Sequence, residues 1–221
     1  MRLSERIYRM LLKAYPEPYR REYEEPMAQL FSDQLRAADT RRKLAALWLS
    51  TLADFLRTMP ARYAEKSRHS LYGLENAQGY QRVPWSSSVK KSVFFARYEA
   101  GSFARKMITT EDLLMGLLRE DRRLHELVGG AAAVEQIRHE IQSHEATRRC
   151  RPLPQDLCDV PLNAAASSAI QLAKEEAPRF GAVEATPRHL LAGILQQEQT
   201  LAAQLLRRAG VNLERLRSAK P

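Results

Sequence analysis

The sequence has few cysteines and no long apolar run, and each shortage excludes a class of protein. Its two cysteines, Cys150 and Cys158, have seven residues between them, which matches neither a zinc-binding nor a redox spacing. We therefore expect reduced thiols. No stretch reaches the roughly 18 apolar residues of a membrane-spanning helix, and residues 1–14 lack the apolar run of a signal peptide. These shortages predict a cytoplasmic protein without a transmembrane segment.

The common catalytic and metal-binding motifs are also missing. None of the nine glycines precedes a lysine, so the chain has no phosphate-binding loop for ATP. His139 and His144 are five residues apart and do not share a helix face in the manner of a zinc pair. The nucleophile motifs of serine and cysteine enzymes are missing too. We predict that the chain is not an enzyme and binds neither a cofactor nor a metal.

The charge balance permits a polyanion partner but does not favour one. The formal charge is +9, yet 26 acidic residues are interleaved with the 35 basic ones. This mixture favours a solvated helical surface with an arginine bias over a nucleic-acid site. Arg148, Arg149 and Arg151 form one local basic cluster. It is interpreted as a solvated loop, and attraction of an acidic partner is the alternative.

Residues 1–66 are predicted to form a small helical module. The residues Leu3, Ile7, Met10, Leu11 and Tyr15 (or Ala14) recur at helical spacing and predict one apolar face of a first helix. A second helix is predicted at about 19–38, with the alternative that it begins only at Pro26. A third is predicted at about 41–59, closed by Pro60. The predicted apolar face of the second helix is Met27, Leu30, Phe31 and Leu35, and that of the third is Leu44, Leu47, Trp48, Leu52, Phe55 and Leu56.

This N-terminal module resembles the permease prefix domain, a helical module at the N-terminus of some bacterial membrane permeases. The resemblance lies in residues 8–16 (YRMLLKAYP), 19–27 (YRREYEEPM) and 48–60, with Glu24 where the family usually has glycine. It implies a three-helix packing module. Residues 67–88 lack a sustained period and contain two glycines and a proline, so we predict a linker there.

The second part of the chain is organised around a repeated stretch. Residues 109–118 (TTEDLLMGLL) return as residues 186–195 (TPRHLLAGIL), an offset of 77. Asp112 lies three residues after Thr109, which predicts a capping box at the start of a helix. Gly116 lies inside that helix, which indicates that another helix crosses close to it. We predict an all-α domain over 89–221, with repeat one at 89–145 and repeat two at 162–221.

Both copies resemble the Clp repeat (Clp N) domain, the N-terminal module of Clp-family AAA+ unfoldases such as ClpA and ClpC. The resemblance lies in residues 96–100 (ARYEA) with 110–118, and in residues 173–177 (AKEEA) with 186–195. It implies two helical repeats related by a pseudo-twofold axis. It also implies capture of adaptors and substrates, which the family passes to its motor.

The resemblance further implies a binding site at the start of the signature helix. In the ClpC branch the glutamate of this motif helps to hold phosphorylated arginine, and here it corresponds to Glu111, beside Thr110. The second copy has Arg188 at that position, whose charge would repel a guanidinium, followed by the family's histidine, His189. The alternative for Glu111 is a carboxylate that stabilises the helix start, and for His189 a residue that fixes the helix start.

These observations predict a non-enzymatic protein–protein interaction module of the Clp N type. Its partner would be a protein client, an adaptor or a Clp-family unfoldase. The alternative is a regulatory module that docks on a membrane protein through its prefix-like helices. Nucleic acid is not an expected partner.

Overall fold

The protein is all-α, as predicted. The structure is a computed structural model and describes residues 3–64, 83–103, 105–146 and 160–218. Eleven helices and two isolated β-bridges form these described residues. The chain divides into two compact units, Met1–Ser70 and Leu71–Pro221. Within the described part, no helix is both long enough and apolar enough to cross a membrane.

The first unit consists of three helices around an aromatic core. They are α1 (Leu3–Leu12), α2 (Glu17–Ala37) and α3 (Arg41–Ala64). Phe31 on α2 stacks on Tyr8 of α1 with ring centroids 4.1 Å apart, and it meets Trp48 of α3 edge-on at 5.1 Å. Phe31 thus joins all three helices. Burial among these rings raises the pKa of Tyr8 well above its ordinary value.

Two prolines that were predicted to bound helices lie inside them instead. The alternative start of α2 at Pro26 is wrong, because α2 begins at Glu17 and continues through Pro26. Likewise α3 does not end at Pro60 but continues to Ala64. An internal proline costs a helix about 3 kcal/mol. The buried Tyr23 and Phe31 on either side of Pro26 stabilise α2 enough to offset that cost.

The predicted apolar faces of α1 and α3 are wrong in part. Leu3 and Met10 of α1 and Leu56 of α3 expose 74%, 69% and 72% of their surface. In α1 the inner face is a neighbouring one with Tyr8 and Leu12. In α3 the predicted Trp48 and Phe55 do pack inward. Aromatic side chains bury more area than leucine, so the rings decide which face of each helix turns inward.

The second unit contains two copies of one helical arrangement. The first copy is α4 (Ser87–Ser102), α5 (Thr110–Glu120), α6 (Arg123–Leu127) and α7 (Ala131–Ala146). The second copy is α8 (Ala164–Arg179), α9 (Pro187–Leu195), α10 (Leu201–Arg208) and α11 (Leu213–Ser218). One continuous core runs through both copies.

The two copies are joined by a reciprocal pair of short backbone bridges. Trp85, before α4, pairs with Ala185, before α9, while Leu162, before α8, pairs with Ile108, before α5. Each bridge has two hydrogen bonds, with donor–acceptor distances of 2.7–3.0 Å. Residues 85 and 162, and likewise 108 and 185, are 77 apart. The two bridges therefore join equivalent pairs of residues in the two copies, as expected for repeats related by a pseudo-twofold axis.

The predicted linker and inter-repeat segments are only partly described. Residues 67–82 lie outside the described residues, as do Cys150, Cys158 and the Arg148, Arg149 and Arg151 cluster. The last residues of the predicted linker are structured parts of the second unit. Trp85 is buried, and the Ser86 side chain accepts a hydrogen bond from the Val89 amide and caps α4.

Glycine allows the central helices of each copy to cross at backbone contact. A Cβ added to Gly116 of α5 would lie 2.1 Å from the Ser92 carbonyl oxygen of α4. A Cβ added to Gly193 of α9 would lie 2.1 Å from the Ala169 carbonyl oxygen of α8. Both distances are far inside van der Waals contact, so the predicted close crossing occurs in both copies.

We expect Gly116→Ala to destabilise the second unit by about 3 kcal/mol, because α4 and α5 would have to separate. In an unobstructed helix the same change would stabilise by up to about 1 kcal/mol. Urea unfolding followed by Trp85 fluorescence in a Trp48→Phe background measures this unit. Gly181→Ala is the matched control: its Cβ meets open space, but its φ of 69° costs about 1–2 kcal/mol. A Gly116→Ala protein at least as stable as its parent would contradict the close crossing.

Candidate functional site

The candidate site is built at the start of α5, where Glu111 reaches across to the second repeat. Its Oε1 accepts a hydrogen bond from the Ala202 amide of α10 at 3.3 Å. The Thr200 side chain accepts from the next amide, Ala203, also at 3.3 Å. Glu111 therefore stabilises the first turn of a helix that lies 91 residues further along the chain. The predicted helix-start role of Glu111 thus extends to a second helix.

Thr110 lies next to Glu111 but is buried, whereas Glu111 is partly exposed. Only 1% of its surface is exposed, and its hydroxyl is buried without a hydrogen-bond partner among the described residues. Glu111, in contrast, is half-buried. Of the two predicted contact residues in repeat one, only Glu111 is placed to meet a molecule at the surface.

A capping box fixes the start of α5, as predicted. The Thr109 amide donates to Asp112 Oδ2 at 2.8 Å, and the Asp112 amide donates back to the Thr109 hydroxyl at 3.4 Å. Arg105 pairs with the other carboxylate oxygen of Asp112. Burial raises the pKa of Asp112 to about 6, although the Arg105 charge and the Thr109 hydrogen bonds oppose the rise. Arg105 is a residue that the sequence analysis did not identify.

In repeat two His189 takes the place of Asp112. Its Nδ1 accepts the Thr186 amide hydrogen bond at 2.9 Å, so the proton of the neutral ring is on Nε2. Nε2 is buried and has no hydrogen-bond partner within the described residues, while the Phe180 ring meets the imidazole edge-on at 4.6 Å. Burial lowers the pKa of His189, and the Arg188 charge lowers it further. The predicted role of His189 in fixing the helix start is therefore confirmed by its geometry.

Arg188 occupies in repeat two the position that Glu111 has in repeat one. It lies in the first turn of α9 and is half-buried. A cation at a helix start is unfavourable, because it faces the positive end of the helix dipole. The two repeats thus present opposite charges at equivalent positions.

The buried Glu176, which was not predicted as a site residue, connects two helices of the second copy through ion pairs. Glu176 is 1% exposed and accepts from Arg179 at 2.7 Å and from Arg217 at 2.9 Å. Burial opposes its ionisation, but the hydrogen bonds from the two arginines outweigh burial and lower the pKa of Glu176. The repeated stretch AKEEA (residues 173–177), which contains Glu176, was visible in the sequence. The contact of Glu176 with Arg217 was not.

The described residues offer no ready metal site. No group of three or more histidine, cysteine, aspartate or glutamate side chains in residues 3–64, 83–103, 105–146 and 160–218 is placed to hold an ion. The arrangement at Glu111 consists of a carboxylate beside the amides of a helix start. Such an arrangement suits the binding of a polar or charged group.

Comparison with known proteins confirms the Clp repeat resemblance. Residues 162–220 match the family model described as the Clp repeat (R) N-terminal domain. The chloroplastic chaperone protein ClpD of Arabidopsis thaliana is 23% identical over 137 residues, which are 58% of this chain and 14% of that protein. The chain therefore corresponds to a small part of this relative's length.

One of the similar solved structures has a TM-score above 0.5 and supports the fold. A structure described as belonging to a malarial protein secretion system superposes with a TM-score of 0.51 at 17% identity, covering 61% of this chain and 90% of the other. The N-terminal domain of ClpD from Arabidopsis thaliana covers the same shares at 21% identity and a TM-score of 0.49. The Hsp104 N-terminal domain from Candida albicans is 13% identical, with a TM-score of 0.49, and covers 61% and 87%. The likeness of residues 1–66 to the permease prefix domain stays a prediction.

We expect His189 to make the second unit less stable as the pH falls. An unfolded histidine has a pKa of about 6.5, and the folded pKa is lower. Between the two values the unfolded chain binds more protons, so the free energy of unfolding decreases with falling pH. Physically, a proton on Nδ1 would face the Thr186 N–H and break the cap. The measurement is the free energy of unfolding from pH 7.5 to 5, compared between the wild type and His189→Gln.

The pH dependence must be compared between the wild type and His189→Gln, because Asp112 changes the free energy of unfolding in the opposite direction. Its raised pKa makes its own contribution grow as the pH falls through about 6, and this term cancels between the two proteins. His139→Gln changes an exposed histidine of α7 and is the control. Identical pH profiles for wild type and His189→Gln would show that the ring does not titrate with folding.

Proposed function

We propose that this chain, which carries a Clp repeat domain, is a non-enzymatic interaction module that binds a protein client, an adaptor or a Clp-family unfoldase. The Clp N-terminal domain is a protein-interaction module of Clp chaperones. The chain has this domain but contains no phosphate-binding loop. A binding module without its own motor would act by holding its partner or by competing with a motor-bearing relative for the same partner.

The observation that carries this proposal is the union of the two repeats into one core. The reciprocal bridges connect the copies through backbone atoms, and the Glu111 side chain adds a hydrogen bond to the Ala202 amide. Loops and helix starts held on such a scaffold keep their geometry when a partner docks, which lowers the entropy lost on binding. This rigidity supports recognition of a defined surface feature on the partner.

We further propose Glu111 and the start of α10 as the partner-binding site. A carboxylate pairs with a guanidinium through charge-assisted hydrogen bonds. The amides of a helix start favour a phosphoryl group, which at α10 would replace Glu111 or Thr200 as the acceptor of the Ala202 or Ala203 amide. Phosphorylated arginine carries both groups on one side chain. Arg188 at the equivalent position of repeat two would repel the guanidinium, so a single site is proposed.

The second candidate function is docking on a membrane protein through the prefix-like helices. One observation favours it: Leu3, Ile7 and Met10 form an exposed apolar row on α1, with 74%, 42% and 69% exposure. Single exposed apolar residues are ordinary, but a row on one helix face is typical of an interaction surface.

The two functions are separated by quantitative capture with the purified full chain. Recovery of Clp subunits or their adaptors, lost when Glu111→Arg is used as the bait, is the result that the interaction-module proposal expects. Recovery of integral membrane proteins, lost with Ile7→Glu but kept with Glu111→Arg, favours the second function. If both variants capture the same proteins as the wild type, neither surface is the binding site.

The site is tested with a labelled peptide that contains phosphorylated arginine. We expect Glu111→Ala to weaken binding at least tenfold, about 1.4 kcal/mol, because the guanidinium loses its carboxylate partner. Arg188→Ala should leave the affinity unchanged. Fluorescence anisotropy measures both, with the unphosphorylated peptide as ligand control and thermal unfolding as a check on folding. Equal affinities for the wild type and Glu111→Ala would exclude Glu111 as the contact.

A further inference from the structure

The third helix of the first unit carries a row of exposed apolar residues. Leu49, Leu52 and Leu56 expose 70%, 41% and 72% of their surface, and Ala45 is exposed as well. Successive positions in this row are four, three and four residues apart. This alternation is the spacing of the residues that form the seam of a coiled coil. We call Ala45, Leu49, Leu52 and Leu56 the α3 seam.

The opposite side of α3 already packs against aromatic residues of the first unit, where Trp48 and Phe55 are half-buried. Trp48 meets Phe31 edge-on at 5.1 Å, and Phe55 meets Tyr15 edge-on at 5.4 Å. Between residues 44 and 53 the helix has no charged side chain. Ser50 and Thr51 lie in this stretch, and their hydroxyls donate to the Leu47 carbonyl. The aromatic inner face of α3 therefore leaves a second apolar surface, the seam, exposed on the same helix.

The residues beside the seam favour another helix over a lipid surface. Ala46 and Ala53 flank the leucines and are exposed. Small flanking side chains allow a second helix to approach closely. A helix that lies on a membrane typically has lysine or arginine along the border of its apolar face. In α3 the basic residues lie only at the two ends of the seam, at residues 41–43 and Arg57, and residues 44–53 contain none.

The seam is complementary to itself when two copies run antiparallel. A twofold axis between residues 50 and 51 places Leu49 opposite Leu52 of the second copy, and Ala45 opposite Leu56. A small residue then faces a large one, which lets the layers interdigitate. The same residues serve both copies, as in an isologous dimer interface.

Charge selects the antiparallel orientation. Arg41, Arg42 and Lys43 form the exposed first turn of α3. A parallel pair would place these cations beside their own copies, and like charges at that separation repel. An antiparallel pair moves the two basic turns to opposite ends of the interface. We propose that the α3 seam binds a second copy of this chain in antiparallel orientation. This dimer uses a surface different from Glu111 and does not depend on the proposed function.

The dimer is tested by sedimentation equilibrium of the full chain over a concentration range of roughly 1 to 100 micromolar, which covers typical weak association. We expect the wild type to approach twice the chain mass of 25.2 kDa. Leu49→Glu should remain a monomer, because antiparallel pairing would bury its carboxylate against Leu52. Leu49 is 70% exposed, so the change should not unfold the chain, and circular dichroism verifies this. Leu3→Glu is the matched control, an exposed leucine on α1, and should still dimerise.

Three results would overturn the proposal. One is a monomeric wild type over the whole range, including one that instead binds anionic vesicles through Leu49. The second is a Leu49→Glu protein that dimerises as well as the wild type. The third is a Leu3→Glu protein that loses dimerisation, since this would place the interface on α1.

Cross-linking checks the orientation. In a background with both native cysteines changed to serine, Ala45→Cys mixed with Leu56→Cys should give a disulfide-linked heterodimer under mild oxidation. Ala45→Cys alone should give little, because its two copies lie at opposite ends of the antiparallel seam. Efficient cross-linking of Ala45→Cys to itself would indicate a parallel pair and overturn the proposed geometry.

Discussion

The crossing of two helix pairs at glycine determines the geometry of the second unit. Without a Cβ at Gly116 and Gly193, backbone meets backbone, and the apolar faces of α5 and α9 sink fully into the core. The depth of these helices in turn places their first turns beside the partner repeat. The short bridges before α5 and α9, and the contact of Glu111 with α10, exist because the helices lie at that depth.

The repeat and its caps were predictable because they are local and occur twice. A ten-residue match at an offset of 77 identifies a duplicated unit, and the capping-box pattern of Thr109 and Asp112 needs only three residues of context. The buried glycine was informative for the same reason: a residue that weakens an isolated helix has a packing role when it is kept in both copies of one chain. These signals together were enough for the fold class and for the start of the site.

The remaining features depend on contacts that spacing does not encode. Glu111 and Ala202 are 91 residues apart, and nothing in either segment specifies the other. The face of α1 was misjudged because a periodic pattern does not rank apolar residues by size, whereas the stacking of Tyr8 on Phe31 decided which face turned inward. Pro26 was misread as a boundary because the burial that offsets its cost comes from other helices.

The signature helices of the two repeats, α5 and α9, both begin with a capping box, but the capping side chain is an aspartate in one and a histidine in the other. This difference constrains the charge of the preceding residue. In repeat one the buried acceptor is the Asp112 carboxylate, whose charge Arg105 balances, so the acidic Glu111 can stand at the helix start. In repeat two the acceptor is a neutral imidazole, and the adjacent residue is Arg188. A protonated His189 there would place two cations at the positive end of α9. Burial and the charge of Arg188 therefore both lower the pKa of His189 and keep its ring neutral. The Glu111 carboxylate and the neutral histidine cap thus belong to different copies, so the two repeats differ in charge both at the surface and at the buried cap.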